Sequence, residues 1–461
     1  MERPLHLSAA GRKQYWRLAG YSSTAVPLAI MVVPVTSLVP IYYSGVFLLP
    51  LATIGTMLLA ARLFDVVTDP VIGVLSDRTR SSWGRRRPWL VVGTPVLLAG
   101  VWLLFVPPVA VNGAYLLLAS LVTYLGWTLI QIPYWAWGSE IAADYHDRST
   151  LSGFRETAMI CGIALAALVP LFANAYGHDI DRTTMTGLAV LITVLLPLAI
   201  LLSCRSFDEA PVKTQAGDSD WQHVFTILRD NRHFRRLVLA FAAIELGKGV
   251  SVTVAAYFMT FYFGQSELIG LVLLLPYILI VFSVPFWLWV SRRIGKHRTV
   301  ALSLALAAAI LLVGVPPLSR EDGYLFLAIE CLVGLAAGGF AILPTALVAD
   351  TADYHADLVD TPPKVATHFA AWSLVRKLMQ AIAVGVTLPL LALSGFDPAR
   401  DPSAHAEVTK WMFIALSTPF YLIGVIAMWR FDLDEAAHAA IRRRLAERGL
   451  APDIEGKTHE A

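Results

Sequence analysis

The sequence predicts an all-α membrane protein with twelve transmembrane helices arranged as two six-helix repeats. Three observations carry that prediction. The 461 residues are 57% hydrophobic and only 15% charged, with a mean hydropathy of +0.63, which lies outside the range of soluble globular domains. The apolar residues gather into runs of about 20 or more, the length a helix needs to cross a bilayer core. Short polar marks at the ends of certain runs recur half a chain apart.

Spans are expected at roughly 19–43, 48–74, 88–106, 114–140, 153–175, 184–204, 237–263, 268–290, 299–317, 323–350, 366–394 and 409–431. Met1 to Arg17 is polar and the first apolar run is of spanning length, so no cleaved signal peptide is expected. An even number of spans puts both termini on one face. Lys and Arg gather in the segments on that face, which makes it cytoplasmic by the positive-inside rule. The expected location is the cell membrane, as a multi-pass protein of a bacterial inner membrane.

The longest internal connector is polar and divides the chain. The expected organisation is a six-helix bundle over 1–204, a cytoplasmic linker over 205–236, a second six-helix bundle over 237–431 and a cytoplasmic tail over 432–461. In the tail, three arginines between Ile441 and Leu445 read as a basic amphipathic helix, either resting near anionic headgroups or solvated. Cys161, Cys204 and Cys331 sit in apolar stretches without ligand spacing and read as small buried hydrophobes. The net charge of +2 is no basis for a nucleic-acid partner; the lipid bilayer and a small-molecule substrate are the expected partners, and a monomer the expected state.

Two pairs of marks support duplication. Ala143-Asp144-Tyr145-His146 follows span four, and Ala352-Asp353-Tyr354-His355 follows span ten. The connector after span two contains Gly84-Arg85-Arg86-Arg87, and the one after span eight contains Gly295-Lys296-His297-Arg298. Matching marks at matching places point to parallel repeats, with a binding site between them. Prolines and glycines inside the spans are ordinary in membrane helices and also serve bends and close contacts.

Span two carries the chemistry. Arg62, Asp65 and Asp69 lie at i, i+3 and i+7, on one helical face. A charge at the bilayer centre costs about 2.5–3.5 kcal/mol on insertion scales, so it persists where it faces a wet or protein interior. Two carboxylates one turn apart offer their oxygens to one point, suiting a hard monovalent cation or a proton. Their mutual repulsion opposes simultaneous ionisation and favours a bound cation or a shared proton. Pro70 has no N–H for the carbonyl of Val66, which frees that oxygen as well. Thr68 and Thr128 are candidate neutral ligands. The competing account pairs Arg62 with one carboxylate as a structural salt bridge.

Asp77 ends span two, and Arg78, Arg80, Arg85, Arg86 and Arg87 follow within eleven residues. They read as an orientation signal and as a gate, in which Asp77 pairs with arginines and releases them during movement. Glu245 and Lys248 in span seven can neutralise each other at i, i+3. Arg376 and Lys377 lie near the middle of span eleven without an acidic neighbour on their own helix, and Arg155 and Glu156 open span five. Span four concentrates Tyr124, Trp127, Gln131, Tyr134, Trp135 and Trp137. Aromatic faces beside an amide suit sugar rings, and Gln131 and Trp135 are the expected cavity-lining pair; interfacial aromatics facing lipid are the alternative.

Across Ala61-Arg62-Leu63-Phe64-Asp65, Asp69-Pro70, Gly73, Asp77-Arg78 and Trp83-Gly84-Arg85-Arg86-Arg87-Pro88-Trp89, the chain resembles the glycoside–pentoside–hexuronide:cation symporter family of the major facilitator superfamily, to which melibiose permease belongs. The resemblance implies the major facilitator fold, alternating access, and uptake of a sugar, glycoside or uronate coupled to Na⁺ or H⁺. It implies no enzyme activity and no cofactor beyond the coupling ion. It matches the family's cation carboxylates to Asp65 and Asp69, which would be the metal ligands if the ion is Na⁺. The helper threonine matches Thr128, the Ile-Pro-aromatic-Trp step matches Ile132 to Trp135, the span-five arginine matches Arg155 and the span-eleven lysine matches Lys377. Gln131, Trp135, Arg155, Lys377 and Tyr124 are thus expected at the substrate, and Arg62, Asp77, Arg78, Arg85 and Arg86 at the gate.

The chain also departs from the family pattern. Span one lacks the family's acidic residue, span four has Gln131 in place of another, and Thr68 stands where Asn is usual. An amide cannot clamp a pair of hydroxyls as a carboxylate does, so the cargo need not be melibiose-like. An amphipathic, lysolipid-like cargo is the alternative. A more distant one is a membrane prenyltransferase using the Asp-x-x-x-Asp spacing of Asp65 with Asp69 and of Asp353 with Asp357.

Overall fold

The computed structural model describes residues 12–141, 145–207, 221–361, 363, 365–398 and 406–450. All regular structure among them is helical. Ala143 and Asp144 of the first repeat mark, the middle of the 205–236 connector and the end of the tail lie outside the described residues.

The helices in chain order are α1 (Arg12–Ser22), α2 (Ala25–Val33), α3 (Val39–Gly45), α4 (Leu51–Arg78), α5 (Arg87–Phe105), α6 (Gly113–Ile141), α7 (Tyr145–Ala175) and α8 (Arg182–Ser206). They continue with α9 (Trp221–Asp230), α10 (Arg232–Tyr257), α11 (Ile269–Ile294), α12 (Lys296–Gly314), α13 (Gly323–Val359), α14 (Val365–Leu393), α15 (Glu407–Trp429) and α16 (Glu435–Glu447). Eleven helical stretches among the described residues are long and apolar enough to cross a membrane. The remaining expected span is α4, 28 residues long, which bears Arg62, Asp65, Asp69, Asp77 and Arg78.

Span one is interrupted. Pro34 cannot donate a backbone hydrogen bond, and the ladder widens into a π-helical segment at Pro34–Leu38 between α2 and α3. A second π-helical segment, Phe258–Phe263, extends α10 and ends at Gly264, whose φ of 65° is left-handed. Helices α5 and α6 touch through glycines. A Cβ on Gly100 would lie 2.5 Å from the Thr123 Cα, and one on Gly126 would lie 2.4 Å from the Leu97 Cα. Only hydrogen fits at either point, so the backbones approach as closely as they can. That approach positions α6 beside α4.

Two compact units emerge, and they do not follow the chain halves. The first gathers Met1–Ala216 with Val252–Leu274 and Val384–Lys410; the second gathers Gly217–Ser251, Leu275–Ala383 and Trp411–Ala461. Inside the first unit, the ends of α10 and α14 far from the arginine-rich loop pack onto the early helices. Gly55 and Gly385 make the close approaches there, against Pro389 and Leu59 respectively, and Ser44 and Tyr257 share a hydroxyl contact of 3.4 Å.

The cysteine expectation needs correction. Cys161 is exposed on α7, and Cys204 and Cys331 are only half-covered, because the faces that carry them are not the packed ones. The tail expectation also changes. Helix α16 is capped by Asp434, which accepts from the Ala437 amide at 2.8 Å. Its apolar residues Ile441 and Leu445 are buried, and Arg442 and Arg444 meet Asp353 and Asp357 of α13. Its apolar face is therefore consumed by protein and is not left for headgroups or solvent.

Candidate functional site

Helix α4 runs unbroken through Pro70 and presents Asp65 and Asp69 one turn apart toward α6. Asp65 is 3% exposed and Thr128 of α6 is fully buried. The Thr128 hydroxyl oxygen lies 2.5 Å from one Asp65 carboxylate oxygen and 3.1 Å from one Asp69 carboxylate oxygen. A hydroxyl has one proton and can donate to one of them at a time. The three groups thus form a cradle of hard oxygens, which two repelling carboxylates make receptive to a cation or a proton. Among the described residues no group of three or more His, Cys, Asp or Glu side chains could hold a metal ion.

Arg62 flanks the cradle. Its guanidinium lies 3.7 Å from the second Asp65 oxygen, and its central carbon sits 4.3 Å from the centroid of the Tyr124 ring, within cation–π range. Arg62 is therefore an element of the carboxylate site and stands apart from the arginine-rich end where the other gate residues gather. Tyr124 is 3% exposed and its ring lies beneath Arg62. The Thr68 hydroxyl donates to the Asp65 carbonyl of its own helix at 3.1 Å, an arrangement common on helices.

Trp135 and Arg155 come together, with the guanidinium carbon 5.9 Å from the ring centroid. Both are half-buried, as is Gln131. Nearby, a groove of about 590 Å³ opens between α1, α2 and α7, lined by Ser22, Ser23, Val26, Phe154, Thr157 and Cys161 among others. Its polar groups are short hydroxyls, in keeping with a span one that carries no charge. Lys377 lies half-buried in the middle of α14 beside Arg376, in the second unit.

The gate residues collect at the other end of α4. Gly84 takes a φ of 110°, a value that favours glycine, and the loop turns back so that Arg86 is buried to 4% exposure. One guanidinium then donates to the Ser76 hydroxyl at 2.6 Å, to Glu140 of α6 at 2.9 and 3.1 Å, and to Asp77. Arg85 donates to the same Glu140 oxygen at 2.6 Å. Arg87 reaches the Phe207 carbonyl at the end of α8. Arg78 is exposed. Glu140 is the functional residue that sequence reasoning missed. The available signal was its position three residues before the first Ala-Asp-Tyr-His mark, as Asp350 lies two before the second.

Two carboxylates and a hydroxyl held inside an all-helical membrane bundle, with an ion-paired clasp at one end, define the class: a multi-pass membrane transporter of the major facilitator fold. The family model for MFS/sugar transport proteins matches residues 20–435, and the chain belongs to that family. It is 28% identical over 455 residues to the uncharacterized symporter YnaJ of Bacillus subtilis (strain 168), covering 93% of this chain and 94% of that one. It is 24% identical to the isoprimeverose transporter of Lactiplantibacillus pentosus, over 86% of this chain and 84% of the relative. Among solved structures, that of a D-xylose-proton symporter superposes with a TM-score of 0.62 at 15% identity, covering 91% of this chain and 97% of that one.

Proposed function

We propose that this chain is a secondary active transporter that couples Na⁺ or H⁺ entry to symport of a sugar, glycoside or uronate by alternating access. The carrying observation is the triad of Asp65, Thr128 and Asp69, in which one hydroxyl reaches two membrane-buried carboxylates. An ion or proton between them offsets their repulsion and draws α4 to α6. Loss of that ion separates them, and this difference between two states is what coupling requires. Trp135 and Arg155 supply a ring face and a donor for cargo in the first unit, and Gln131 adds an amide. The groove between α1, α2 and α7 offers mainly apolar space with a few hydroxyls at its wall. Membership of a sugar-transport family supports a sugar as cargo.

The Lys and Arg distribution supports a cytoplasmic position for the arginine-rich end and both termini. In that orientation Asp77, Glu140, Arg85 and Arg86 form an inner clasp whose opening releases cargo to the cytoplasm. The Asp353 and Asp357 pair supports transport over prenyl-diphosphate chemistry, because α16 cations already engage both carboxylates.

The test is uptake into cells or proteoliposomes driven by a Na⁺ or H⁺ gradient. Asp65→Asn and Asp69→Asn are each expected to abolish gradient-driven accumulation while leaving downhill exchange measurable. Thr128→Ala is expected to weaken cation activation about tenfold, the effect of one lost charge-assisted hydrogen bond, and Thr128→Ser to restore it. Full accumulation by both aspartate variants would overturn the reading.

A further inference from the structure

The second unit holds an ionisable side chain that the coupling triad leaves unused. Glu330 lies seven residues beyond Gly323, the first residue of α13, about 10 Å along a helix that rises 1.5 Å per residue. It is therefore inside the span. One turn on, Gly334 meets α11 so closely that a Cβ there would lie 2.6 Å from the Pro276 carbonyl oxygen. Residues i and i+4 share a helical face, so Glu330 faces α11 beside Tyr277. The Glu330 Oε1 is buried there and has no hydrogen-bond partner.

The charges of the neighbouring helices are committed elsewhere. Lys248 of α10 donates to Glu245 at 3.1 Å, and the Gln380 amide of α14 donates to the other Glu245 oxygen at 3.2 Å. Arg376 of α14 acts on Lys248 and has partners of its own. The ionisable groups that sense Glu330 are neutral ones. They are Tyr277 of α11, which also senses Lys248 and Glu245, Tyr421 of α15, which also senses Glu245, and Cys331 of its own helix. Helix α12 has no ionisable side chain between 301 and 314.

An ionised carboxylate in these surroundings would have no cation against it and no donor on Oε1, the costliest way to bury a charge. The neutral acid needs no counter-ion and suits the place. An acid kept only for structure would spend its hydrogen bonds, yet this buried oxygen makes none. A membrane-embedded carboxyl left in that condition is explained by a second state in which it is used.

We propose that Glu330 is a proton-binding site of the second unit, separate from the Asp65–Asp69 cradle. It holds a proton while α11 and α13 are closed on each other and releases it when they part and water enters beside Tyr277. The carboxyl O–H bond breaks, the proton passes to water, and the carboxylate left behind is hydrated; rebinding reverses the step. Binding rests on the surroundings of Glu330 alone. Release rests on the alternating-access reading, which supplies the opened state. Each unit of the transporter thereby carries a cation site.

The experiment is infrared difference spectroscopy of the full-length protein in lipid nanodiscs, titrated from neutral to alkaline pH in water and in deuterium oxide. A protonated carboxyl gives a C=O band distinct from those of carboxylates. The wild type is expected to show such a band at neutral pH, to lose it reversibly at alkaline pH and to shift it in deuterium oxide as the acid proton exchanges. Glu330→Gln is expected to lose the band, Glu330→Asp to move it, and Asp65→Asn/Asp69→Asn to keep it. The wild-type titration needs no variant, and Glu330→Asp keeps the assignment testable if Glu330→Gln fails to fold. A band that Glu330→Gln retains would overturn the inference; its loss in the aspartate double variant instead would assign the proton to the cradle. A Glu330 band that neither titrates nor shifts marks a sealed structural acid and would equally overturn it. Full gradient-driven accumulation by the Asp65 and Asp69 variants would remove the coupling reading and leave the Glu330 band as it was.

Discussion

At the end of α4 a single buried guanidinium gathers its acceptors; at the end of α13 several half-exposed cations share the acids between them. Arg86, 4% exposed, comes from the loop that directly follows its own helix and holds Ser76, Asp77 and Glu140 together. Around α13, Lys296 pairs with Asp350 at 2.7 Å and His438 lies 3.0 Å from Asp353. Arg442 reaches Asp353 at 3.3 Å and Arg444 reaches Asp357 at 2.6 Å. Arg442 and Arg444, like His438, come from α16, far along the chain. The two ends carry related marks but obtain their positive charge from different places. A buried multi-acceptor hub fails when one residue is lost, whereas acids shared among several half-exposed partners lose them one at a time.

The largest effect is expected from Arg86→Gln. It leaves Asp77 without its cation and Glu140 with Arg85 alone, and should reduce uptake more than tenfold. It should also lower stability by about 1–3 kcal/mol, the buried-pair range discounted for the partial exposure of the acids. Uptake and thermal unfolding in detergent check both. Arg86→Lys should not rescue either property, because a point charge cannot serve several acceptors in a fork. Next is Glu140→Gln, where Arg86 retains Ser76 and Asp77. A stability loss of about 1 kcal/mol is expected, together with faster opening, read as increased accessibility of a cysteine reporter at Arg80, which is exposed at the arginine-rich end. At α13, the combined variant Arg442→Gln/Arg444→Gln should lower the melting temperature by a few degrees at low salt. The difference should shrink near 0.5 M NaCl, since the half-exposed arginines are screened while their acids are buried. Smallest is Arg448→Gln, whose partners Asp357 and Asp360 are both 3.4 Å away; a shift of a degree or less is expected. A low-salt loss from the α13 variants as large as that from Arg86→Gln would break the comparison.

Much of the architecture was legible in the sequence because span length and hydropathy are local quantities. The charged face of α4 was legible for the same reason: Arg62, Asp65 and Asp69 share a stripe by helical period alone. Roles within the stripe were not. Arg62 was grouped with the gate, yet its neighbours are Asp65 and the Tyr124 ring. Tyr124 was expected at the cargo but is buried beneath that guanidinium. Glu140 was passed over because nothing near it in the chain shows that a loop from the end of α4 folds back onto it. The tail was read as a membrane-surface or solvated helix, since basic amphipathic character is the same whether the apolar face meets lipid or protein.

The sequence by itself determined what depends on near neighbours: twelve helical runs, the side on which basic residues accumulate, and two carboxylates one turn apart in a membrane segment. Only the tertiary structure decided which distant groups meet. It selected Arg86 from five nearby arginines, because the turn at Gly84 buries that one guanidinium. It set the Thr128 hydroxyl between Asp65 and Asp69, because glycine contacts bring α5 and α6 together beside α4. Such pairings join residues tens to more than a hundred positions apart, and their energies arise only once the helices have packed and water has been excluded.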